Sequence, residues 1–193
     1  VRKHFDLEPY FAEIDRGAPY EHPIAMQFLT NGPQAHWQTI EQAFIKACSI
    51  AHEEILVQTP YFLPPEGLLM SLCSATLRGV HVSVMLPERG DSYLTQRASD
   101  SYLAQLLQAG VDVRRYRGGF LHSKLLVVDR RIVGIGSANM DFRSLEINLE
   151  VMSFVYDKRI AEELSEAFEE DLQECHQLTL EEWSERSFWI RSL

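Results

Sequence analysis

The stretch EGLLMSLCSATLRGVHVSVMLP, from Glu66 to Pro87, decides the fold. Glu66 to Leu77 reads as a helix closed by Gly79, and Val80 to Leu86 as a strand closed by Pro87. The same cycle flanks it on both sides. Upstream, Ile55 to Thr59 is a short apolar strand that Pro60 ends. Before it, Trp37 to His52 carries Trp37, Ile40, Phe44, Ala47, Cys48 and Ala51 at helical spacing. Downstream, a helix from about Leu94 to Ala109 stops at Gly110, and a strand follows from Val111 to Tyr116. Strands alternating with helices predict a largely parallel sheet covered on both faces.

The flanks modify that picture. Ile24 to Thr30 reads as a strand broken by Gly32-Pro33. Three strands then come in quick succession, near Ser123 to Val128, Arg131 to Ile135 and Ile147 to Tyr156, followed by an acidic helix from about Lys158 to Glu174. The expected fold class is therefore α/β, an α/β/α sandwich with a mixed sheet. Residues 1–23, with Pro9, Pro19 and Pro23, predict a linker or tail; residues 24–176 predict the domain. Residues 177–193 predict an amphipathic tail in which Trp183, Phe188 and Trp189 dock on the domain, on a partner domain or on a membrane surface.

Composition narrows the class. The chain has 193 residues, 46% of them hydrophobic and 24% charged, as in ordinary globular domains. Its formal net charge of −10 argues against a protein devoted to duplex nucleic acid. Cys48, Cys73 and Cys175 are too widely spaced for a disulfide framework or a zinc cluster and read as reduced thiols. No apolar run reaches the roughly 18 residues of a membrane span. No Asp, Glu and His stand at metal-ligand spacing, so neither a metal nor a cofactor is expected.

The chemistry concentrates in His122-Ser-Lys124-Leu-Leu-Val-Val-Asp129 and Gly136-Ser137-Ala-Asn139. On a strand, His122, Lys124, Leu126 and Val128 share one face, so an imidazole and an ammonium stand side by side. That pair suits a phosphate ester: the imidazole attacks phosphorus while the ammonium offsets charge on the non-bridging oxygens. Ser137 and Asn139, in a Gly-containing turn, add neutral donors for phosphate oxygens. The second ring nitrogen of His122 needs an acceptor. Glu150, in an apolar strand where an unpaired carboxylate is costly, is the expected one. Asp129 points the other way and is expected to hydrogen-bond neighbouring backbone or a polar side chain.

The full spacing is H-x-K-x₄-D-x₆-G-S-x-N. At roughly 5% per fixed position, chance matches are on the order of a few per million. This pattern resembles the signature of the phospholipase D superfamily. Gln58-Thr-Pro60-Tyr61-Phe62, Gly119-Phe-Leu-His122, Ser137-Ala-Asn139-Met-Asp141-Phe-Arg143-Ser144 and Asn148-Leu-Glu150-Val151 resemble the C-terminal catalytic half of the bacterial cardiolipin synthase branch, from about Ala25 to Cys175.

The resemblance implies a phospholipase D-like fold with His122, Lys124, Asp129 and Glu150 in the catalytic set and Ser137 and Asn139 on the substrate phosphate. It implies phosphatidyl transfer between two phosphatidylglycerol molecules through a phosphohistidine, giving cardiolipin and glycerol. Members of this branch carry two motifs around one phosphate; here only His122 is followed two residues later by Lys. The expected partners are thus an anionic phospholipid, a membrane surface, and either a missing N-terminal half or a second copy, with no nucleic acid. The implied location is the cytoplasmic face of a bacterial membrane, with this piece soluble. Arg114, Arg115, Arg117, Lys124, Arg130 and Arg131 suggest a basic mouth for lipid headgroups, and Arg143 a phosphate or backbone contact. Tyr61 and Phe62 read either as channel lining or as core. A phosphodiesterase or nuclease acting as a homodimer, and a non-catalytic scaffold half, are the alternative functions.

Overall fold

The computed structural model describes residues 23–34, 37–90 and 93–185, of which residues 93–95 are described for backbone only. Of the tail expected over residues 1–23, all but residue 23 lies outside the described residues, as do the aromatic residues Phe188 and Trp189. The strands are β1 (Ala25–Asn31), β2 (Glu54–Gln58), β3 (Phe62–Leu63), β4 (His81–Pro87), β5 (Asp112–Tyr116), β6 (Leu125–Val128), β7 (Ile132–Gly136), β8 (Met140–Asp141), β9 (Glu150–Tyr156) and β10 (Cys175–Leu178). The helices are α1 (Thr39–Ile50), α2 (Glu66–Leu77), α3 (Tyr93–Ala109), α4 (Lys158–Leu172) and α5 (Leu180–Glu185).

Eight strands form one sheet in the order β1-β9-β7-β6-β2-β4-β5-β10. The β2-β4-β5 core is parallel, as the alternation with helices requires. The remaining neighbours are antiparallel, so the sheet is mixed. β3 and β8 make a separate parallel pair.

Side-chain alternation divides the core in two. Ile55, Val57, Val82, Val84, Leu126 and Phe154 point to the face covered by α1, α2 and α3, where Ile40, Phe44, Leu72, Leu103 and Leu106 meet them. The Phe44 ring tilts against Phe154 with centroids 5.9 Å apart, fixing α1 over β9. Leu56, Met85, Val127, Val133 and Val155 point to the opposite face, covered by Ala161 and Phe168 of α4. α4 begins on the side-chain cap that Asp157 gives the Ile160 amide.

Helical cover is unequal. α4 leaves the β1 end of its face bare: Met26, Phe28, Ile135 and Val151 share that face through the β1-β9-β7 register and are exposed, Phe28 at 68%.

Several boundaries differ from the sequence reading. β6 starts at Leu125 and not at Ser123, because β2 ends at Gln58, opposite Leu125, and offers no partner further on. β9 starts at Glu150 and not at Ile147. Residues Arg143–Ile147 instead form a wide helical turn closed by the Asn148 amide on the Arg143 carbonyl at 2.8 Å. Asn31 pins that turn by donating to the Leu145 carbonyl, while its own Oδ1 accepts from the Ile40 amide at 3.2 Å. Beyond α4, β10 extends the sheet on β5 and runs through the boundary expected at residue 176. α5 follows, with Trp183 packed against the core.

Candidate active site

The carboxyl ends of β2, β4 and β5 share a sheet edge with the start of β6, the end of β7 and the start of β9. Open α/β sheets bind ligands at this edge. Leu121 anchors the segment entering β6 by burial under α4, and the next residue, His122, is exposed. Lys124 Nζ lies 3.0 Å from His122 Nδ1 and 3.4 Å from Nε2, and donates to the His122 carbonyl at 2.7 Å. The imidazole and the ammonium are therefore in contact, as the strand alternation predicts.

Behind them stand two carboxylates. Burial lowers the Lys124 pKa below that of an ordinary lysine, and the charges of Glu150 and Asp141 partly oppose that shift. Glu150 accepts from the Ser137 hydroxyl and, at 3.2 Å, from Asn148 Nδ2. Ser137 in turn accepts from the Val151 amide at 3.0 Å, and its own amide donates to the Val151 carbonyl at 2.9 Å. Gly136 is required just before it: a Cβ there would stand 2.2 Å from the Val151 carbonyl oxygen. Asn139 donates to Ser144 Oγ at 3.3 Å, and its buried Oδ1 has no hydrogen-bond partner among the described residues.

A test of the carboxylates follows from the sign of the Lys124 shift. Activity that needs the ammonium falls as pH rises through a pKa below the ordinary value of about 10.4. Glu150→Gln removes a charge that supports the ammonium. The alkaline limb of the pH–rate profile should therefore move to lower pH, and an unmoved limb would separate Glu150 from Lys124.

Other expectations are corrected. Glu150 does not pair with His122 among its hydrogen bonds; Ser137 and Asn148 hold it. The strand start around it is open, with Leu149 exposed at 84%, so the desolvation that seemed to demand an imidazole is smaller than the apolar sequence implied. The Ser137 hydroxyl donates to Glu150, and one Asn139 N–H donates to Ser144.

Asp129 sits at the far end of β6 from His122. It accepts from the backbone amides of His52 (2.9 Å), Glu53 (2.8 Å) and Glu54 (3.0 Å), the architectural role its direction on the strand predicts.

The basic mouth does not assemble. Arg114 pairs with Asp112, Arg117 with Glu88, and Arg130 with Glu54 and Glu169. Arg115 is buried on Asp100 and the Pro87 carbonyl. β5, which carries Arg114 and Arg115, is separated from β6 by β4 and β2. Phe62 is fully buried core, and Tyr61 lines a small cavity with Leu86, Pro87 and Arg115 that contains no residue of the His122 group. Arg143 is exposed at the start of its turn.

Two residues of the site had no role in the sequence reading. Asp141 is buried, caps the turn by accepting from the Ser144 amide at 2.7 Å, and acts electrostatically on Lys124. Its Asp-x-x-Ser spacing is the readable signal. Phe120 stacks on His122 with ring centroids 5.4 Å apart, and lies two residues before it, on the same face by the alternation that placed Lys124. No three His, Cys, Asp or Glu side chains among the described residues are grouped to hold a metal. The arrangement can do nucleophilic or acid–base chemistry at the His122 ring, with a fixed ammonium beside it for an anionic oxygen.

The family model described as cardiolipin synthase, PLD-like domain, matches residues 44–172, the span that carries this whole group. The chain belongs to that phospholipase D-like family. Among curated relatives, the cardiolipin synthase of Listeria welshimeri is 41% identical over 167 residues, covering 86% of this chain and 35% of the relative. The major cardiolipin synthase ClsA of Bacillus subtilis is 43% identical over 168 residues, covering 87% and 35%. The cardiolipin synthase of Staphylococcus aureus is 40% identical over 192 residues, covering 99% and 38%. The chain thus spans about a third of the length of the curated relatives it matches. The phospholipase D family member Nuc from Salmonella typhimurium superposes with a TM-score of 0.71 at 21% identity, over 81% of this chain and 99% of Nuc. Phosphatidylserine synthase from Haemophilus influenzae superposes with a TM-score of 0.64 at 17% identity, over 83% and 41%. Both agree with the mixed α/β sandwich of the phospholipase D-like fold.

Proposed function

We propose that this chain supplies one of two half-sites of an enzyme that transfers a phosphatidyl group between two phosphatidylglycerol molecules, giving cardiolipin and glycerol. The observation that carries the reading is the contact of an exposed His122 with the Lys124 ammonium, in a domain about two-fifths identical to curated cardiolipin synthases. One histidine forms an N–P bond as the P–O bond to the leaving glycerol breaks, and the other protonates that glycerol oxygen. The second histidine then takes the proton of the acceptor hydroxyl, whose oxygen displaces the imidazole from phosphorus. His122 takes one of these two roles, and Lys124 offsets charge on the phosphate throughout.

The partner is a second histidine–lysine half or a second copy of this chain. The bare apolar face formed by Met26, Phe28, Ile135 and Val151, beside the His122 edge, supports a surface of that kind seated there. The substrates are anionic phospholipids presented at a membrane on its cytoplasmic side; no described helix is long and apolar enough to cross one. The acidic balance of the chain favours lipid over nucleic acid as the phosphodiester.

A segment exchange tests the reading. This chain replaces the matching segment of the Bacillus subtilis relative, and the chimera is given phosphatidylglycerol vesicles. Cardiolipin and glycerol should form in equal amounts. Release of phosphatidate without cardiolipin, by a folded chimera, would overturn transfer in favour of hydrolysis.

A further inference from the structure

The segment joining β5 to β6 is shaped around one aromatic ring. At Gly118 a Cβ would lie 2.6 Å from the Tyr116 hydroxyl, so a side chain there would push the Tyr116 ring aside. Gly119 adopts φ +144°, a region that L side chains rarely enter. After these two glycines Leu121 is buried in the core under α4, while Phe120 and His122 are exposed. Phe120 is 78% exposed, so it fills no core. Its ring lies 10° from parallel to the His122 imidazole, centroids 5.4 Å apart, within the range of offset aromatic pairs. Lys124 Nζ contacts the same imidazole, 3.0 Å from Nδ1 and 3.4 Å from Nε2.

We infer that Phe120 is a positioning residue for His122. Its ring holds the plane of the imidazole, Lys124 contacts both ring nitrogens, and together they fix the line along which the imidazole nitrogen meets its reacting partner. A group that must approach along a narrow line loses rate steeply when that line is blurred, by about a hundredfold for a displacement of about 1 Å. Because Phe120 is exposed, its removal opens no cavity, and stability should be unaffected. The inference rests on the proposed chemistry at His122 only for the direction of attack; the stack itself is independent of it.

Two variants separate shape from ring. Phe120→Leu keeps an apolar side chain and removes the aromatic face; Phe120→Tyr keeps the face. In this chain, without substrate, the His122 ring protons should resonate upfield through the ring current of Phe120. That shift should vanish in Phe120→Leu and persist in Phe120→Tyr. In the chimera, with a soluble aryl phosphodiester, Phe120→Leu should lower kcat about tenfold at unchanged KM, and Phe120→Tyr should restore it. Identical His122 shifts in all three proteins, or a loss in KM alone, would overturn the inference. So would unchanged turnover with weaker binding to phosphatidylglycerol vesicles, which would make Phe120 a lipid anchor. Because the shift is read without substrate, failure to make cardiolipin would count against the proposed reaction and not against the stack.

Discussion

His122→Ala should lower phosphatidyl transfer by about 10⁴-fold or more while leaving the fold intact. The imidazole is exposed, so its loss opens no cavity, and the Leu121 side chain that anchors the segment is untouched. On the proposed mechanism, what disappears is the group that either bonds to phosphorus or moves the proton. No other described histidine replaces it: His52 lies near Asp129 at the opposite end of β6, His81 opens β4 beside Glu54 at that same far end, and His176 pairs with Glu182 of α5. The check is cardiolipin formation by the chimera beside its thermal unfolding. The unfolding free energy should change by no more than an ordinary surface substitution, about 0.5 kcal/mol. Transfer within tenfold of the parent would remove His122 from the reaction.

Asp129→Ala should act on stability, by about 2 kcal/mol. The β6-β7 turn places Asp129 and Arg130 at φ 51° and 49°, and the Arg131 amide closes it on the Val128 carbonyl at 3.0 Å. Two consecutive left-handed residues suit the twist of a hairpin but are unfavourable without glycine. The Asp129 carboxylate compensates by accepting three backbone amides at the start of β2, and the Asp129 amide donates to the Glu54 carbonyl at 3.0 Å. Partial burial alone would raise its pKa; the amides of Glu53, Glu54 and His52 outweigh that and hold it below the usual carboxylate value. The folded pKa is depressed, so the stabilisation is present above the ordinary range near pH 3.9 and is lost as pH falls through the lowered value. The urea midpoints of the parent and Asp129→Ala should therefore converge as pH drops from 7 toward 2. A gap independent of pH would assign the loss to the turn alone.

Periodicity made the helices and the long strands readable because burial of a stripe or a face is a local property of the chain. Glu66–Leu77 has the bounds its spacing predicts. The same rule placed Lys124 beside His122. What escaped depends on who neighbours whom. β5 and β6 follow one another in sequence, yet β6 inserts between β7 and β2, which moves the arginines of β5 three strands away. β3, β8 and β10 are two to four residues long and gain their pairing from strands distant in the chain. The run Ile147 to Val151 reads as a buried strand by composition. Its side chains stand at the open edge, and that exposure gave Glu150 freedom to bond Ser137 in place of His122.

The open edge has a chemical consequence of its own. On the proposed mechanism, an intermediate on a histidine nitrogen at this open edge would face two competing nucleophiles, abundant bulk water and a lipid alcohol present only at an interface. Lys124 beside it would offset charge on the phosphate whichever of the two attacks. The choice falls to whatever excludes water from that edge. A phospholipid-remodelling catalyst and a diesterase can thus share every reacting residue and differ only in the surface that closes over them.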